Sequence, residues 1–430
     1  MSKCFRPKYR KIQLKVPGKL MLAGEYQAVL PGHKSIVMAV DRYVTITIEC
    51  QEGPGQSYLR VPQILGEQLI PWQYQEATWR AKLEYAELQH TEQELAELEH
   101  AESKLEYVLK ALEVVGKACL GGEQIGKNQR LMAETGPYHG YIYNIQIESN
   151  LDVVPVRDSA SEPLNALAGH SVMVRSVQKV GLGSSAAVTV AVVAGMCLLH
   201  EGLPSQDENN LERCPLTTEL KDRIYQLAYE AHYTVQGSGS GADVAASVYG
   251  GLIASTCQGG IEQLNPRRLP PFAVGYTGFG GKTGGAVARF LGYQQRMPEH
   301  FEDFVTGSAH WVERLVSILS MTEVQGPMHF DDWYDFSEAI RENQRLLEEL
   351  DGPARIGIMV PELKLFSFVS NLPPFCGKVS GAGGGDCGIG FAENPHALKT
   401  LIKKWQGIGM TPLALGISEN GIHVEAVSPW

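Results

Sequence analysis

The chain has 430 residues, more than one ordinary hydrophobic core requires, so two domains are expected. Hydrophobic residues make up 44% and charged residues 20% of the sequence, which is typical of a soluble globular protein. The formal net charge of -11 argues against a nucleic-acid partner, whose binding site is ordinarily basic. It does not exclude a small anionic substrate, because a pocket can be locally positive in an acidic protein.

The cysteines and the N-terminal segment indicate the cellular compartment of the protein. The eight cysteines are scattered without a C-x-x-C pair, which is typical of reduced thiols in a cytosolic protein. The N-terminal segment lacks the apolar stretch of a signal peptide, and no run of about twenty apolar residues is available to span a bilayer. The sequence therefore predicts a cytoplasmic protein without a membrane partner.

The first chemically suggestive segment is residues 16–26, which reads as a strand and a turn carrying Lys19 and Glu25 among apolar neighbours. Charges in an apolar setting are costly unless they are paired or used. Lys19 is either a surface lysine whose stem lies along apolar neighbours or a phosphate contact. Glu25 is one candidate for its salt-bridge partner.

Two segments, 42–49 and 141–148, alternate apolar with polar residues and predict half-buried antiparallel strands. Residues 76–115 are rich in Ala, Glu, Leu, Lys and Gln without Pro or Gly. This composition predicts a long helix or helical hairpin with an acidic, solvated face. Strands and helices that do not strictly alternate indicate an α+β fold.

The central segment 179–187, K-V-G-L-G-S-S-A-A, predicts a loop that opens a helix. Gly181 and Gly183 permit a tight turn close to a ligand, and Ser184 or Ser185 can cap the helix. The apolar run 188–199 predicts that this helix is buried. Free amides at its start suit a polyphosphate, although a glycine-capped core helix without a ligand has the same pattern.

A second glycine-serine loop, within residues 235–251, opens another small-residue helix and contains one carboxylate, Asp243. Asp243 is either a residue that favours the helix dipole or a general base or charge-positioning group. Glycine pairs at 250–251 and 259–260 place a domain boundary near residue 260, dividing 1–260 from 261–430.

The C-terminal half begins with a predicted strand that runs into a glycine-rich loop, residues 273–285, and continues with predicted helices at 299–321 and 333–350. A third glycine cluster, residues 378–391, is followed by an apolar run, which predicts an ordered turn near a ligand. Segments 121–128 and 276–283 each miss the Walker A pattern by one residue and are taken as chance matches.

In this order the three loops resemble the three motifs of the GHMP small-molecule kinases. The matching segments are P-G-K-L-x-x-x-G-E-Y, G-L-G-S-S-A-A and S-G-A-G-G-G-D-C. Within the superfamily, Q-G-S-G-S-G-A-D-V-A-A-S-V-Y-G-G and K-V-S-G-A-G-G-G-D-C-G are most similar to the bacterial-type phosphomevalonate kinases. The likeness spans residues 12–392, but Phe279 and its neighbours replace the small hydroxyl-rich residues usual in relatives.

The resemblance implies an α+β fold of two lobes, an N-terminal ribosomal-protein-S5-like lobe and a C-terminal ferredoxin-like lobe, with the active site in the cleft between them. ATP would place its phosphates on the backbone of Gly181, Leu182, Gly183, Ser184, Ser185 and Ala186. Ser185 would contact Mg²⁺, and Asp243 and Lys19 would be the catalytic residues. The substrate would contact Lys19, Ser240, Asp243, Lys378, Ser380, Gly381, Ala382 and Gly383, with Lys104, Lys110 and Lys282 as further candidates for its phosphate.

The implied activity is ATP- and Mg²⁺-dependent phosphorylation of a small molecule, 5-phosphomevalonate. Its attacking oxygen is largely ionised at neutral pH, so Asp243 would position groups more than remove a proton. One alternative is the same fold acting on mevalonate or another small alcohol. Another is a ligand sensor that has lost catalysis, against which the presence of Asp243, Lys19 and Ser185 argues. The oligomeric state stays open.

Overall fold

A computed structural model describes residues 7–62, 69–75, 78–81, 105–118, 141–152, 180–203, 216–257, 259–278, 285–321 and 330–430. The strands in these ranges are β1 Tyr9–Ala23, β2 Lys34–Glu52, β3 Ser57–Arg60, β4 Leu69–Gln75, β5 Thr78–Ala81, β6 Tyr141–Ser149, β7 Leu252–Thr256, β8 Ile261–Leu264, β9 Phe272–Tyr276, β10 Phe375–Ser380, β11 Cys387–Ala392, β12 Thr411–Leu413 and β13 His423–Pro429. The helices are α1 105–118, α2 Ser184–Glu201, α3 Thr218–Gln236, α4 Ala242–Tyr249, α5 Ala286–Arg296, α6 Pro298–Leu319, α7 Phe330–Ala354, α8 Pro361–Ser370 and α9 Pro395–Gly407.

The larger sheet has the strand order β13-β1-β2-β6-β3-β4-β5, with β7 paired to β2 and β8 paired to β7. The strands β1 and β2 form an antiparallel pair in which Val16 lies opposite Val44. Val44, Ile46 and Ile48 are fully buried, which confirms the alternation predicted for this strand. Helix α2 packs against both strands, so this sheet and helix form the core of the N-terminal lobe.

The smaller sheet has the antiparallel order β10-β11-β9-β12, and α7, α8 and α9 pack against its strands. Glycines in the sheet permit this close packing. A Cβ built on Gly388 would lie 2.2 Å from the Phe366 ring, so only glycine allows α8 this close to β11. The chain is thus an α+β protein of two lobes, as predicted.

Helix α2 is apolar along most of its length, as predicted. Its 18 residues have a mean hydropathy of 1.5, so by length and composition alone it meets the criterion for a membrane span. Among the described residues, α2 is the one helix that meets this criterion. Of this segment, 78% is buried inside the protein, which is the situation of a core helix.

The prediction of one continuous helical region over residues 76–115 is also wrong in part. Residues 105–118 are helical, but Thr78–Ala81 forms β5, which pairs with β4 through Trp72 and Ala81. Pairing with β4 decides the conformation of these four residues, against the helical composition of the wider segment. The acidic face between residues 92 and 102, and the loops predicted at 153–169 and 206–214, lie outside the described residues.

The predicted division at residue 260 cuts through the larger sheet. The strands β7 and β8, on either side of that residue, pair with each other, and β13 returns from the C-terminus to pair with β1. Pairing covers an edge of β1 that would otherwise present unsatisfied backbone groups. The N-terminal lobe therefore includes residues from both ends of the chain. The helices predicted at 299–321 and 333–350 are confirmed as α6 and α7.

Candidate active site

The loop before α2 has the backbone that its glycines predict. Gly181 and Gly183 have φ angles of 82° and 74°, in the left-handed region. Gly183 is the N-cap of α2 and provides no side-chain cap, so the prediction that Ser184 or Ser185 caps the helix is wrong. Leu182 and Ala186 are buried, and any ligand would meet this loop mainly through its backbone. A helix start without a side-chain cap suits an anion.

Lys19 lies directly against this loop. Its backbone N–H donates to the Leu182 carbonyl at 2.8 Å. A Cβ built on Gly183 would lie 2.9 Å from Lys19 Cγ, and one built on Gly381 would lie 3.8 Å from Lys19 Nζ. The lysine stem therefore runs along the first loop, and the ammonium group reaches the glycine loop of the other lobe.

The C-terminal glycine loop meets the same place from the opposite side. The Asp386 side chain is so close to Gly181 that a Cβ there would lie 2.8 Å from Asp386 Oδ2. The adjacent Cys387 thiol donates to the Val180 carbonyl at 3.0 Å. Burial raises the pKa of Cys387, so the thiol remains a protonated donor. The two lobes are therefore joined at the entrance to α2.

Asp243 approaches from a third direction. It lies in the first turn of α4, its side chain is 24% exposed, and its Oδ2 is 3.9 Å from His232 Nε2. His232 Nε2 is in turn 3.2 Å from Ser185 Oγ. The Ser240 hydroxyl accepts from the Ala242 N–H at 3.3 Å and so supports the turn before Asp243. The structure therefore brings Lys19, Asp243 and Ser185 to the same loop.

Lys378 was predicted to contact the substrate, but its position in the structure excludes that role. Its side chain is 0% exposed and forms an ion pair with Glu25, and Lys378 Nζ also donates to the Val379 carbonyl at 2.7 Å. Burial lowers the pKa of Lys378, and the Glu25 charge opposes that shift. A buried ammonium already paired in this way is not available to a substrate phosphate. Glu25 is consequently the partner of Lys378 and not of Lys19.

The loop after Lys378 is held against β1 by further contacts. Ser380 Oγ accepts from the Met21 N–H at 3.1 Å and donates to the Met21 carbonyl at 2.9 Å. The Tyr26 hydroxyl donates to the Ala382 carbonyl at 2.5 Å. Ser380 therefore positions the loop, whereas Gly381 and Ala382 remain partly exposed.

Two residues of the site were not found from the sequence, His232 and Tyr107. The Tyr107 and His232 rings lie 5.1 Å apart at an interplanar angle of 32°. Neither residue stands in a glycine motif, so no local pattern pointed to them. Of the other phosphate-contact candidates, Lys110 forms an ion pair with Glu113 at 2.8 Å, and Lys104 and Lys282 lie outside the described residues.

The oxygen atoms near the loop are of the kind that Mg²⁺ prefers. Within the described ranges there is no cluster of three or more His, Cys, Asp or Glu side chains that could hold a metal. Mg²⁺ prefers oxygen ligands and is commonly held by one or two protein groups together with phosphates and water. The Ser185 hydroxyl and the Asp243 carboxylate provide oxygens of this kind beside the loop of residues 181–186, the candidate phosphate loop.

A glycine-rich helix start between two lobes, faced by a lysine and a carboxylate, has the geometry and charges that suit an anionic ligand. The family model described as GHMP kinases N terminal domain matches residues 129–251. The sequence therefore contains a match to the GHMP kinase N-terminal domain within a chain that has the two-lobed fold.

Two individual proteins are similar to this chain over a longer stretch than the family model matches. The phosphomevalonate kinase of Streptomyces sp. (strain CL190) is 27% identical over 96% of this chain and 99% of that protein. The mevalonate kinase of Thermococcus onnurineus is 30% identical over 58% of this chain and 66% of that protein.

Solved structures support the fold. Streptococcus pneumoniae phosphomevalonate kinase in complex with phosphomevalonate and AMPPNP aligns with a TM-score of 0.58 at 18% identity, over 95% of this chain and 99% of that one. A protein of Listeria innocua aligns with a TM-score of 0.67 at 24% identity, over 96% of this chain and 99% of that one.

Proposed function

We propose that this kinase transfers the γ-phosphoryl group of ATP to (R)-5-phosphomevalonate, giving 5-diphosphomevalonate and ADP for isoprenoid synthesis by the mevalonate pathway. Similarity to a phosphomevalonate kinase over 96% of the chain supports this acceptor. The proposal places the enzyme in the cytoplasm, acting on small molecules and without a nucleic-acid or membrane partner.

One observation carries the proposal: Lys19 lies between the two glycine loops while Asp243 and Ser185 share His232. Phosphoryl transfer depends mainly on alignment and on neutralising charge. In the proposed mechanism the amides of residues 181–186 bind the ATP phosphates. The Lys19 ammonium neutralises charge on the transferred group, and Asp243 orients the acceptor. Bound Mg²⁺, with Ser185 Oγ as a protein ligand, would neutralise further phosphate charge.

In the proposed reaction an ionised phosphate oxygen of the acceptor attacks the γ-phosphorus, and the bond from that phosphorus to the bridging oxygen of ADP breaks. Because the attacking oxygen already carries its charge, Asp243 has no proton to remove. The proposed acceptor contacts are Lys19, Ser240, Asp243, Gly381, Ala382 and Gly383.

The acceptor is tested by ADP release in a coupled assay with mevalonate, 5-phosphomevalonate, homoserine and galactose, each with Mg²⁺ or with excess EDTA. We expect Mg²⁺-dependent turnover with 5-phosphomevalonate above that with the other three. Turnover with mevalonate alone would overturn the proposal in favour of the alternative that mevalonate kinases at 30% identity support. Ligand binding without ADP release from any acceptor would instead indicate a sensor.

The role of Asp243 is tested by Asp243→Ala. We expect kcat to fall by about 10²-fold, the cost of displacing the reacting groups by about 1 Å once the positioning carboxylate is lost. The thermal melting curve should change little, because the side chain is partly exposed. Asp222→Ala is the matched control, since Asp222 is an exposed carboxylate that accepts from the Tyr249 hydroxyl at 2.6 Å. Full activity of Asp243→Ala would contradict the role.

A further inference from the structure

The Ser185 hydroxyl lies in a small polar cluster formed by side chains from separate helices. His232, on α3, places Nε2 3.2 Å from Ser185 Oγ and 3.9 Å from Asp243 Oδ2. The His232 side chain is 5% exposed, so this nitrogen is shielded from solvent. One ring nitrogen therefore lies between the phosphate loop and the carboxylate on α4.

The Nε2 atom of His232 can donate at most one hydrogen bond, so its distances to the two oxygens matter. Nε2, when it carries a proton, has one N–H to donate, and it has two oxygen acceptors within or just beyond hydrogen-bond distance. The distances favour Ser185 Oγ, with Asp243 Oδ2 as the next acceptor. The ring therefore contacts the Ser185 hydroxyl directly and lies beside the Asp243 carboxylate.

Tyr107, on α1, restrains the ring and contacts the same hydroxyl. Its ring packs 5.1 Å from that of His232, centroid to centroid. Burial raises the pKa of Tyr107, and the charges of Asp243 and Glu106 raise it further, while a hydrogen bond with Ser185 lowers it. Tyr107 therefore stays protonated at neutral pH. Ser185 Oγ thus has polar partners from both α1 and α3.

The surroundings on α3 argue that histidine has more than a packing role. Ile224, Ala228 and Ala231 on the same helix are fully buried and apolar. His232 is the polar member of this buried set, and burying an imidazole is costly unless it has polar partners. The contacts with Ser185 and Asp243 offset that cost only in this arrangement of the two loops.

We propose that His232 is a positioning residue of the phosphoryl transfer. Through its Nε2 it holds Ser185, on the nucleotide side, and Asp243, on the acceptor side, in one relative position. The residue acts through these two side chains and does not itself contact the reacting atoms. The inference rests on the proposed kinase function but not on the identity of the acceptor.

The test compares His232→Leu and His232→Gln with the control His200→Leu. His200 is also buried, at 6% exposure, and its Nε2 lies 3.2 Å from the Tyr143 hydroxyl, in a pair that the site does not use. We expect His232→Leu to lower kcat by about 10- to 100-fold, as loss of a supporting hydrogen bond does at other sites. The KM for the acceptor should change less than about threefold, since binding and positioning are separable.

His232→Gln should recover much of the lost kcat, because its side-chain amide can donate to Ser185. His200→Leu should lower the melting temperature while the kcat of the folded enzyme is unchanged. A second readout is calorimetric titration with AMPPNP and Mg²⁺, in which His232→Leu should weaken the Mg²⁺-dependent affinity by about tenfold. This readout does not depend on the acceptor. His232→Gln is the variant to measure if His232→Leu does not fold.

Two results overturn the inference. One is a His232→Leu enzyme with normal kcat and normal Mg²⁺–AMPPNP affinity, whose only defect is the lower melting temperature also seen in His200→Leu. The other is a His232→Gln enzyme as impaired as His232→Leu. If the unaltered chain binds no nucleotide, the proposed function fails and the inference fails with it. If it binds nucleotide but uses another acceptor, only the acceptor assignment fails.

Discussion

Two lysines beside glycine motifs, Lys19 and Lys378, have opposite situations in the folded protein. Lys378 has no exposed surface and forms an ion pair with Glu25. Lys19 stays partly exposed, its stem against Gly183 and its ammonium group near Gly381. A lysine beside a glycine loop can therefore either join two parts of a fold or face a ligand. Burial and pairing decide between these roles.

The two environments also differ in what surrounds the charge. A buried ion pair is strongly destabilised when one partner is removed, because the other charge is left unpaired. The Glu25–Lys378 pair joins the turn after β1 to β10, and thus one lobe to the other. The Lys19 ammonium belongs to the cleft, where its charge can act on a bound phosphate.

The largest expected effect comes from Lys19→Met. We expect kcat to fall by about 10²- to 10³-fold, the size of effect that follows loss of one preorganised group stabilising the transition state. The free energy of unfolding should change by less than about 1 kcal/mol, as for most substitutions away from the core. Coupled ADP release and urea denaturation measure the two quantities.

The control for Lys19→Met is Lys15→Met on the same strand. Lys15 forms an exposed ion pair with Glu425 at 2.8 Å, and pairs of this kind contribute at most about 1 kcal/mol. Lys15→Met should leave kcat unchanged. If Lys19→Met lost stability but kept its activity when folded, the contrast between the two lysines would disappear.

Lys378→Met should have the reverse pattern. We expect a loss of about 3–5 kcal/mol in the free energy of unfolding, because Glu25 would remain buried and unpaired. The kcat of the protein that remains folded should stay near normal. Denaturant titration at low temperature, with the assay run on the folded fraction, measures both.

The double variant Glu25→Leu with Lys378→Met sharpens this test. Replacing both charges with apolar groups should restore much of the stability lost in Lys378→Met, since neither charge is then left unpaired. A stable Lys378→Met enzyme that had lost turnover would instead indicate that Lys378 binds the substrate.

The smallest expected effect comes from Gly183→Ala, with Gly237→Ala as its control. Both glycines have a φ of 74°, so alanine at either costs about 1–2 kcal/mol of backbone strain. A Cβ at Gly183 would lie 2.9 Å from Lys19 Cγ, whereas nothing lies within 4 Å at Gly237. We therefore expect about a tenfold fall in kcat for Gly183→Ala alone, because it displaces Lys19. Equal kcat values for the two variants would show that the lysine stem adjusts freely.

Local features of the fold were predictable because their causes lie within a few residues. The alternation of Val44, Ile46 and Ile48 follows from the two-residue period of a strand. The tight turn before α2 follows from the left-handed backbone of Gly181 and Gly183. The family resemblance carried by the three glycine loops predicted the two-lobed fold and the approach of Lys19 and Asp243 to the central loop.

The remaining features depend on partners far away in the chain, so no local pattern could specify them. Lys378 is separated by 353 positions from Glu25, and His232 by 47 from Ser185. Strand β13 joins the first sheet from the opposite end of the chain. The sequence by itself determined most of the elements and the positions of the glycine loops. Only the tertiary structure decided which charges are buried together and which face the cleft, because the energy of a charge depends on everything packed around it.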